Sequence, residues 1–420
     1  MCRDFVLTRL QTCRGIQTIR QGVLYDFLGS GIFTTDGTFW QHSRAMLRPQ
    51  FEKSQVSAID QFEPYVQKLL SCIPSDGSIV DLQELFHKFT MDTSTDFLTG
   101  SGTDCLGGDK EADKFAQTYD KCLSDGIWRD MLGPLWYLTP RKEAAEAVRY
   151  AHSSVEGWVR QAMEIKSSAS HSEKAKGRGE RYVFVNELAR HEEVDAKRIR
   201  DETLNILLAG RDTTASLLSN LWFVLAKEPE IYKKLQAEVD ELNGKQPSYE
   251  LLRNMKYIKY TVQECKSQPH LTFHIPLTVQ LGLRLYPPVP VLGKLALKDT
   301  VLPHGGGKDG LQPLFVSKGT RIVYNSYSMM RQPSAFGSDA TVFKPERWAD
   351  PNLRPGWNYL PFGGGPRVCL GQQYALTETY YVTIRMMQRF RKLESRDPEP
   401  WMEKVAVTCC SGNGTKVALG

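Results

Sequence analysis

The sequence predicts a mainly helical chain with small β-sheets, on three observations. Residues 195–228 hold an apolar pattern at helical spacing that runs unbroken to Pro229. Residues 58–165 read as several amphipathic helices with capping residues between them and breaks at Pro74, Pro134 and Pro140. Strand-like runs follow near 291–297 and 321–327, and Asn413-Gly414 is a hairpin signal close to the C-terminus. Of the 420 residues 41% are hydrophobic, enough for a sizeable core in one large domain or two.

Taken in order, residues 1–27 are polar and basic and match no recognisable element. They lack the apolar centre of a signal peptide, and no run of 18 apolar residues exists anywhere to span a membrane. A net charge of +5 without a basic block gives no footprint for nucleic acid. The nine cysteines (2, 13, 72, 105, 122, 265, 369, 409 and 410) show no metal-ligand spacing and read as free thiols of a reducing compartment. Asp36-Gly37 makes a turn from which a helix starts, and Trp40 and Arg44 lie four apart on one face of it. Residues 167–182, rich in Ser, Gly and Lys, read as a solvated loop. The long helix over 195–228, about 50 Å at 1.5 Å per residue, carries Ala209-Gly210-Arg211-Asp212-Thr213-Thr214 in its middle. A Gly beside an acid and two threonines is unusual in an apolar helix. A buried Thr ordinarily bonds its own i−4 carbonyl; a hydroxyl of Thr213 turned into a cavity would instead free that carbonyl. Residues 248–264 form a further helical segment. The glycines 305–307 with Lys308 fail as a phosphate loop, because Leu302 and Asp309 stand where Gly and Ser or Thr are needed. His270 and His274 lack a third ligand.

The most specific stretch is Phe362-Gly363-Gly364-Gly365-Pro366-Arg367-Val368-Cys369-Leu370-Gly371. Each residue type suits a cysteine thiolate that ligates haem iron, a ligand that favours O–O cleavage. Backbone N–H groups of a glycine-rich turn can point at the sulfur and tune it. Gly365 and Gly371 let the backbone approach a flat macrocycle. Arg367 can pair with a haem propionate, and Phe362 can pack over the sulfur side. The other reading is a buried structural Cys in a glycine-rich loop, which the spacing F-x-x-G-x-R-x-C-x-G disfavours.

With these residues the chain resembles the cytochrome P450 family over roughly 28–420, closest to the fungal branch that hydroxylates alkanes and fatty acids. The GIFTTDG run, the LPHGGGKDG stretch at 302–310 and Pro345-Glu346-Arg347-Trp348 carry that closer likeness. The resemblance implies an α+β P450 fold, mainly α with small β-sheets, that lacks its N-terminal anchor, first helices and first sheet strands. Strands near 291–297 and 321–327 would then present open edges. It implies haem, with Cys369 as the iron ligand and Phe362, Gly365 and Gly371 in the loop around it. Trp40, Arg44, Lys294 and Arg367 would lie at the propionates, and Ala209 and Gly210 would line an O₂ groove. Asp212 and Thr213 would deliver protons, and Glu264, Arg284 and Arg347 would form a buried triad. The hairpin at Asn413-Gly414 would reach into the substrate pocket. Lys294 stands where relatives commonly carry Arg, and Met330 replaces a common His.

Further implied are O₂, NADPH through a cytochrome P450 reductase, and a small apolar substrate such as an n-alkane or fatty acid, oxidised at or near its end. The family places such enzymes on the cytoplasmic face of the endoplasmic reticulum membrane. Two alternatives stay open: a haem-thiolate isomerase or dehydratase acting on hydroperoxides, and an incomplete gene product that binds no haem. The Asp212–Thr213 pair argues against the first.

One departure stands out. The family continues from Glu264 as E-x-L-R-L-Y-P-P-V-P, whereas here residues 266–282 intervene before Leu283-Arg284, with Pro269 and Pro276 excluding a continuous helix. Cys265-Lys266-Ser267 can be encoded with GTAAGT, an intron start, and Leu281-Gly282 with a terminal TAG. Excision would remove seventeen codons in frame and restore Glu264-Cys-Leu283-Arg284, which puts Glu264 and Arg284 three apart on one face. Residues 266–282 therefore read as a retained intron, expected to loop out and to impair haem retention.

Overall fold

In the computed structural model the described residues are 24–52, 56–139, 141–169, 182–191, 193–263, 284–404 and 406–420, with the backbone of 13–15. Residues 266–282 and Glu264 lie outside them, so the insert and the acidic member of the expected triad are not placed. Among the described residues nine helices have eight residues or more: α1 Gly37–Leu47, α2 Glu63–Cys72, α3 Leu82–Thr99, α4 Lys110–Leu132, α5 Lys142–Ala169, α6 Ala196–Lys227, α7 Pro229–Asp240, α8 Lys256–Gln263 and α9 Gln372–Arg389. The fold is mainly α with small antiparallel sheets, as expected.

Local chemistry sets the boundaries. Asp81, Asp109 and Asp195 cap α3, α4 and α6, each carboxylate accepting a first-turn N–H at 2.7–2.9 Å. Helix α6 stops where Pro229 opens α7. Three boundaries differ from the sequence reading. Helix α5 continues to Ala169, so 167–169 are helical. The segment at 248–264 is two helices, Tyr249–Asn254 and α8, separated at the extended Met255. Gly133–Leu138 is a 3-10 turn with Pro134 in its first turn.

Helix α6 is the axis of the molecule. Helices α3, α5 and α9 pack against it, and buried Phe86, Phe89 and Trp222 belong to the core they share. The sheets are peripheral. β1 (Cys13–Gly15), β3 (Val291–Ala296) and β6 (Arg321–Asn325) form one in the order β1-β3-β6. This corrects the expectation of open edges for β3 alone, which is paired on both sides over 294–295, with β1 beyond it; β6 stays at the edge of the described sheet. β2 (Val80–Asp81), β7 (Leu393–Ser395) and β8 (Lys416–Leu419) form a second sheet, and β4 (Thr300–Gly306) pairs with β5 (Gln312–Val316) as a hairpin. Its turn holds glycines 305–307, which accounts for them without a phosphate.

The C-terminal hairpin also differs. Its ladder runs between 402–404 and 410–412, so its described tip is near 406–409. Asn413-Gly414 is the turn leading into β8 instead.

One core residue has a pH consequence. Glu378 on α9 is fully buried, and Thr93 of α3 donates to its carboxyl at 2.6 Å. Burial pushes this carboxyl up to about 8, against the Thr93 hydrogen bond. Its contribution to stability is complete below the unfolded-state value near 4.5. It is lost progressively as pH rises, until the folded-state value is passed. At about 1.4 kcal/mol per tenfold change in proton affinity, the loss is on the order of several kcal/mol. Urea midpoints at pH 5 and pH 9 should therefore fall more for the parent than for Glu378→Gln. Equal falls would remove Glu378 as the cause.

Candidate active site

The site is assembled from α1, the loop before it, the loop before α9, and the middle of α6. The first loop, residues 29–35, is clamped to α6 by three consecutive polar contacts. The N–H groups of Ser30, Ile32 and Phe33 donate to Asp201 (2.9 Å), Glu202 (3.1 Å) and Asn205 (3.0 Å), and Asn205 Nδ2 returns a bond to the Leu28 carbonyl at 2.9 Å. The approach is so close that a Cβ at Gly31 would stand 2.3 Å from the Asn205 amide. Sequence reasoning used the GIFTTDG run only as a likeness and missed this clamp. The signal was there as polar residues at 201, 202 and 205, on one face of an otherwise apolar helix.

The clamp places Asp36, which precedes α1, against the cysteine loop. Arg367 donates to the Asp36 carboxylate at 2.7 Å and to the Thr35 carbonyl at 3.1 Å. Its guanidinium lies 4.2 Å from the centre of the Trp40 ring, and that of Arg44 lies 5.8 Å from the same ring. Trp40, Arg44 and Arg367 are thus brought together, with Arg367 engaged by Asp36, a partner the sequence did not suggest.

The cysteine loop is tight. Gly365 takes φ +71°, a left-handed conformation that favours glycine, and opens the 3-10 turn Gly365–Arg367. Cys369 N–H donates to the Phe362 carbonyl at 3.1 Å, and Gln372 at the start of α9 donates to the Cys369 carbonyl at 2.9 Å. The side chain of Cys369 is exposed, yet surrounding protein pushes its thiol up to about 11, while the Gly371 N–H and the charge of Arg44 act the other way. It is therefore an accessible sulfur in a walled recess, next to a glycine N–H and an arginine.

Helix α6 offers a matching face. From Asp201 to Leu225 every residue is buried except Ala209, Gly210 and Thr213. Thr213 lies four residues from Ala209 and three from Gly210, so the three share one face. The Thr213 hydroxyl donates to its own i−4 carbonyl, Ala209 O, at 2.6 Å. Of the two arrangements the sequence left open, the structure shows the ordinary behaviour of Thr in a helix. Asp212 points elsewhere. It is buried, receives Arg211 Nη1 at 3.0 Å, and Arg211 also bonds Asp120 of α4. Burial raises the Asp212 carboxyl to about 6, opposed by Arg211.

The model of the cytochrome P450 family matches residues 14–413. The chain belongs to the cytochrome P450 family. It is 45% identical to cytochrome P450 monooxygenase himC of Aspergillus japonicus, over 95% of this chain and 69% of that protein. It is likewise 45% identical to monooxygenase fsdH of Fusarium heterosporum, with the same coverage. To cytochrome P450 52A4 of Candida maltosa it is 38% identical, over 94% of this chain and 73% of that one. This P450 is accordingly a monooxygenase, an oxidoreductase.

The family implies haem, and the residues fit it. Among the described residues no group of three or more His, Cys, Asp and Glu stands ready to hold a metal ion. Cys369 brings one accessible sulfur, so the remaining iron ligands would come from a macrocycle. Arg44 and Arg367 could pair with its carboxylates, and the flat Trp40 beside them could line its edge. Of the other expected residues, Lys294 sits half-buried in β3, opposite Ile322 of β6. Met330 is fully buried.

Arg284 and Arg347 do come together. Arg284 donates to the carbonyls of Met330 (3.1 Å) and Val342 (3.0 Å) and to that of Ala340. Arg347 donates to Phe336 O (2.6 Å), Asp339 O (2.8 Å) and Val342 O (3.3 Å), and pairs with the Asp339 carboxylate. Val342 O is shared by both. The Arg347 and Lys344 contacts hold the Asp339 carboxyl down at about 2.

Proposed function

We propose that this P450 inserts one oxygen atom of O₂ into a C–H bond of a long apolar chain, an n-alkane or a fatty acid. Electrons would come from an NADPH-oxidising reductase. The observation that carries the haem-thiolate reading is the convergence of accessible Cys369 with Trp40, Arg44 and Arg367. Haem held by a cysteine thiolate supplies O₂ activation and O–O cleavage when bound. The chain's own residues do the rest. The Gly371 N–H and Arg44 favour the ionised sulfur. Arg44 and Arg367 supply charge for the propionates, with the Asp36 contact fixing Arg367. The small side of α6 at Ala209 and Gly210 leaves room on one face, and the family likeness assigns proton delivery to Asp212 and Thr213.

The chain-length part of the proposal is supported by the sequence likeness to the alkane- and fatty-acid-hydroxylating branch. Turnover of n-alkanes, fatty acids and aromatic acids by the reductase-supplied enzyme tests it. Oxidation at or near the chain end is expected, and turnover confined to aromatic acids would defeat it. Residues 266–282 remain proposed as a retained intron; a dominant mature message that keeps those seventeen codons would rule that out.

We also propose that the protein works at a membrane surface. No described helix is long and apolar enough to cross a membrane. The end of α4 and the turn after it nevertheless expose Trp128, Met131, Leu135 and Leu138, with Arg129 and Arg141 stacked on Trp136 between them. Exposed apolar residues beside the exposed Arg141 suit an anionic lipid surface, while Arg129 is paired with Asp26. Leu135→Asp combined with Leu138→Asp should lower binding to phosphatidylserine-containing vesicles by about tenfold or more. Unchanged co-sedimentation would count against this surface.

A further inference from the structure

A histidine that the oxygen chemistry described so far does not use lies beside Asp212. His87 stands on α3 with its Nδ1 3.9 Å from Asp212 Oδ1. That nitrogen is shut off from solvent and has no hydrogen-bond partner, which is uncommon for a buried polar atom. The side chain as a whole is 28% exposed, so its exposure lies on the rest of the ring. One imidazole therefore joins accessible space on one side to the buried carboxylate on the other. On the inner side, Asp212 precedes Thr213, one of the three residues that form the accessible face of α6.

We propose that His87 is the proton-entry residue of this P450: it passes solvent protons to Asp212 and acts on the reaction only through that carboxylate. A separation of 3.9 Å is too long for a hydrogen bond, and is closed by a small side-chain shift or one bridging water. Imidazole suits the task because it accepts a proton on one nitrogen while releasing another from the second. The charged groups facing the ring from neighbouring elements are Asp212 and Arg211 on α6, Asp120 on α4 and Lys404 on the C-terminal hairpin. Tyr119 and Cys410 additionally face Asp212. Burial, Arg211 and Lys404 hold His87 down at about 3, so it rests neutral, the form that relays without storing charge.

The balance fixes what the relay must carry. The reductase oxidises NADPH to NADP⁺ and H⁺ and delivers two electrons. The substrate RH, O₂, two electrons and two protons then give ROH and water. Both protons come from solvent. Each enters at the exposed edge of His87, leaves from Nδ1 to the Asp212 carboxylate, and is spent in forming water. When hydrogen peroxide replaces O₂ and NADPH, RH and H₂O₂ give ROH and water, and the protons arrive with the oxidant.

The inference rests on the oxygen-driven reaction and not on the choice of substrate. In the haem-loaded enzyme with reductase, His87→Ala and His87→Gln should lower product formed per NADPH by about tenfold and raise released peroxide to match. Peroxide-driven product formation should stay within about twofold of the parent, because that route needs no entry residue. A reduced, carbon-monoxide-bound spectrum like the parent's shows that the fold is intact. Unchanged coupling in both variants overturns the proposal, as does an equal loss in the peroxide-driven reaction, which marks a packing role. A second arm needs neither substrate nor turnover: the Nδ1 resonance of His87 in nitrogen-15 spectra should shift in Asp212→Asn. An unmoved resonance overturns the contact itself. If no aliphatic chain is oxidised but this resonance moves, the substrate reading fails and the relay stands.

Discussion

Replacing Cys369 with serine is expected to abolish the thiolate-type absorption of the reduced, carbon-monoxide-bound protein, and with it all NADPH-driven product formation. The reasoning starts from the donor set. Cys369 is the exposed member of the described free cysteines; Cys105, Cys122, Cys409 and Cys410 are buried and Cys72 is half-buried and bonds a carbonyl. Burial raises the thiols of Cys105, Cys122, Cys409 and Cys410, and none of these is accessible to compensate. A serine hydroxyl keeps the loop geometry, because the Phe362 and Gln372 contacts are made by the Cys369 backbone. The variant should therefore fold with the parent's far-ultraviolet circular dichroism while losing the thiolate spectrum. A thiolate spectrum retained in Cys369→Ser would overturn the assignment.

Arg284→Ala is expected to cost about 3–5 kcal/mol of stability, enough to prevent isolation of a folded protein near 37 °C. The side chain is fully buried and serves the carbonyls of Met330, Ala340 and Val342, with its guanidinium 5.1 Å from the Phe336 ring centre. Truncation strands those acceptors away from water, at about 1–3 kcal/mol for each that finds no new partner. Arg284→Lys should recover only part of the loss, since one ammonium on a flexible stem cannot reproduce a planar fork of donors. Denaturant midpoints for the three proteins measure this. A lysine variant as stable as the parent would show that charge alone matters at this position.

The two sites were legible to different degrees. The cysteine loop stood out in the sequence because most of its chemistry is local, though the Asp36 partner of Arg367 was not visible. Phe362, Gly365, Arg367, Cys369 and Gly371 fall within ten residues, and backbone contacts such as Cys369 N–H to Phe362 O close on themselves. The long helix was equally clear, since apolar spacing, Asp195 and Pro229 fix both its path and its ends. Partnerships across the chain were not visible. Nothing in the order of residues says that Asp36 meets Arg367, that Asn205 closes on Gly31, or that His87 approaches Asp212. Thr213 shows the limit from the other side: its i−4 carbonyl was the ordinary local choice, and the structure takes it.

What the sequence by itself determined is the helical architecture and the family, and it singled out Cys369 as the candidate iron ligand. These depend on periodicity, on capping and proline chemistry, and on a ligand loop whose contacts span a few residues. Only the tertiary structure decided which face of α6 is open, where the C-terminal hairpin turns, and how β3 is covered. Ala209, Gly210 and Thr213 are accessible because α3, α5 and α9 bury the rest of that helix. The tip near 406–409 is set by Ser216 and Asn220 of α6, which donate to Cys409 O at 2.6 and 2.8 Å, not by the Asn413-Gly414 turn. In each case the deciding partner lies on another element, tens to hundreds of residues away. Packing and satisfaction of buried polar groups chose it, and neither is written in local spacing.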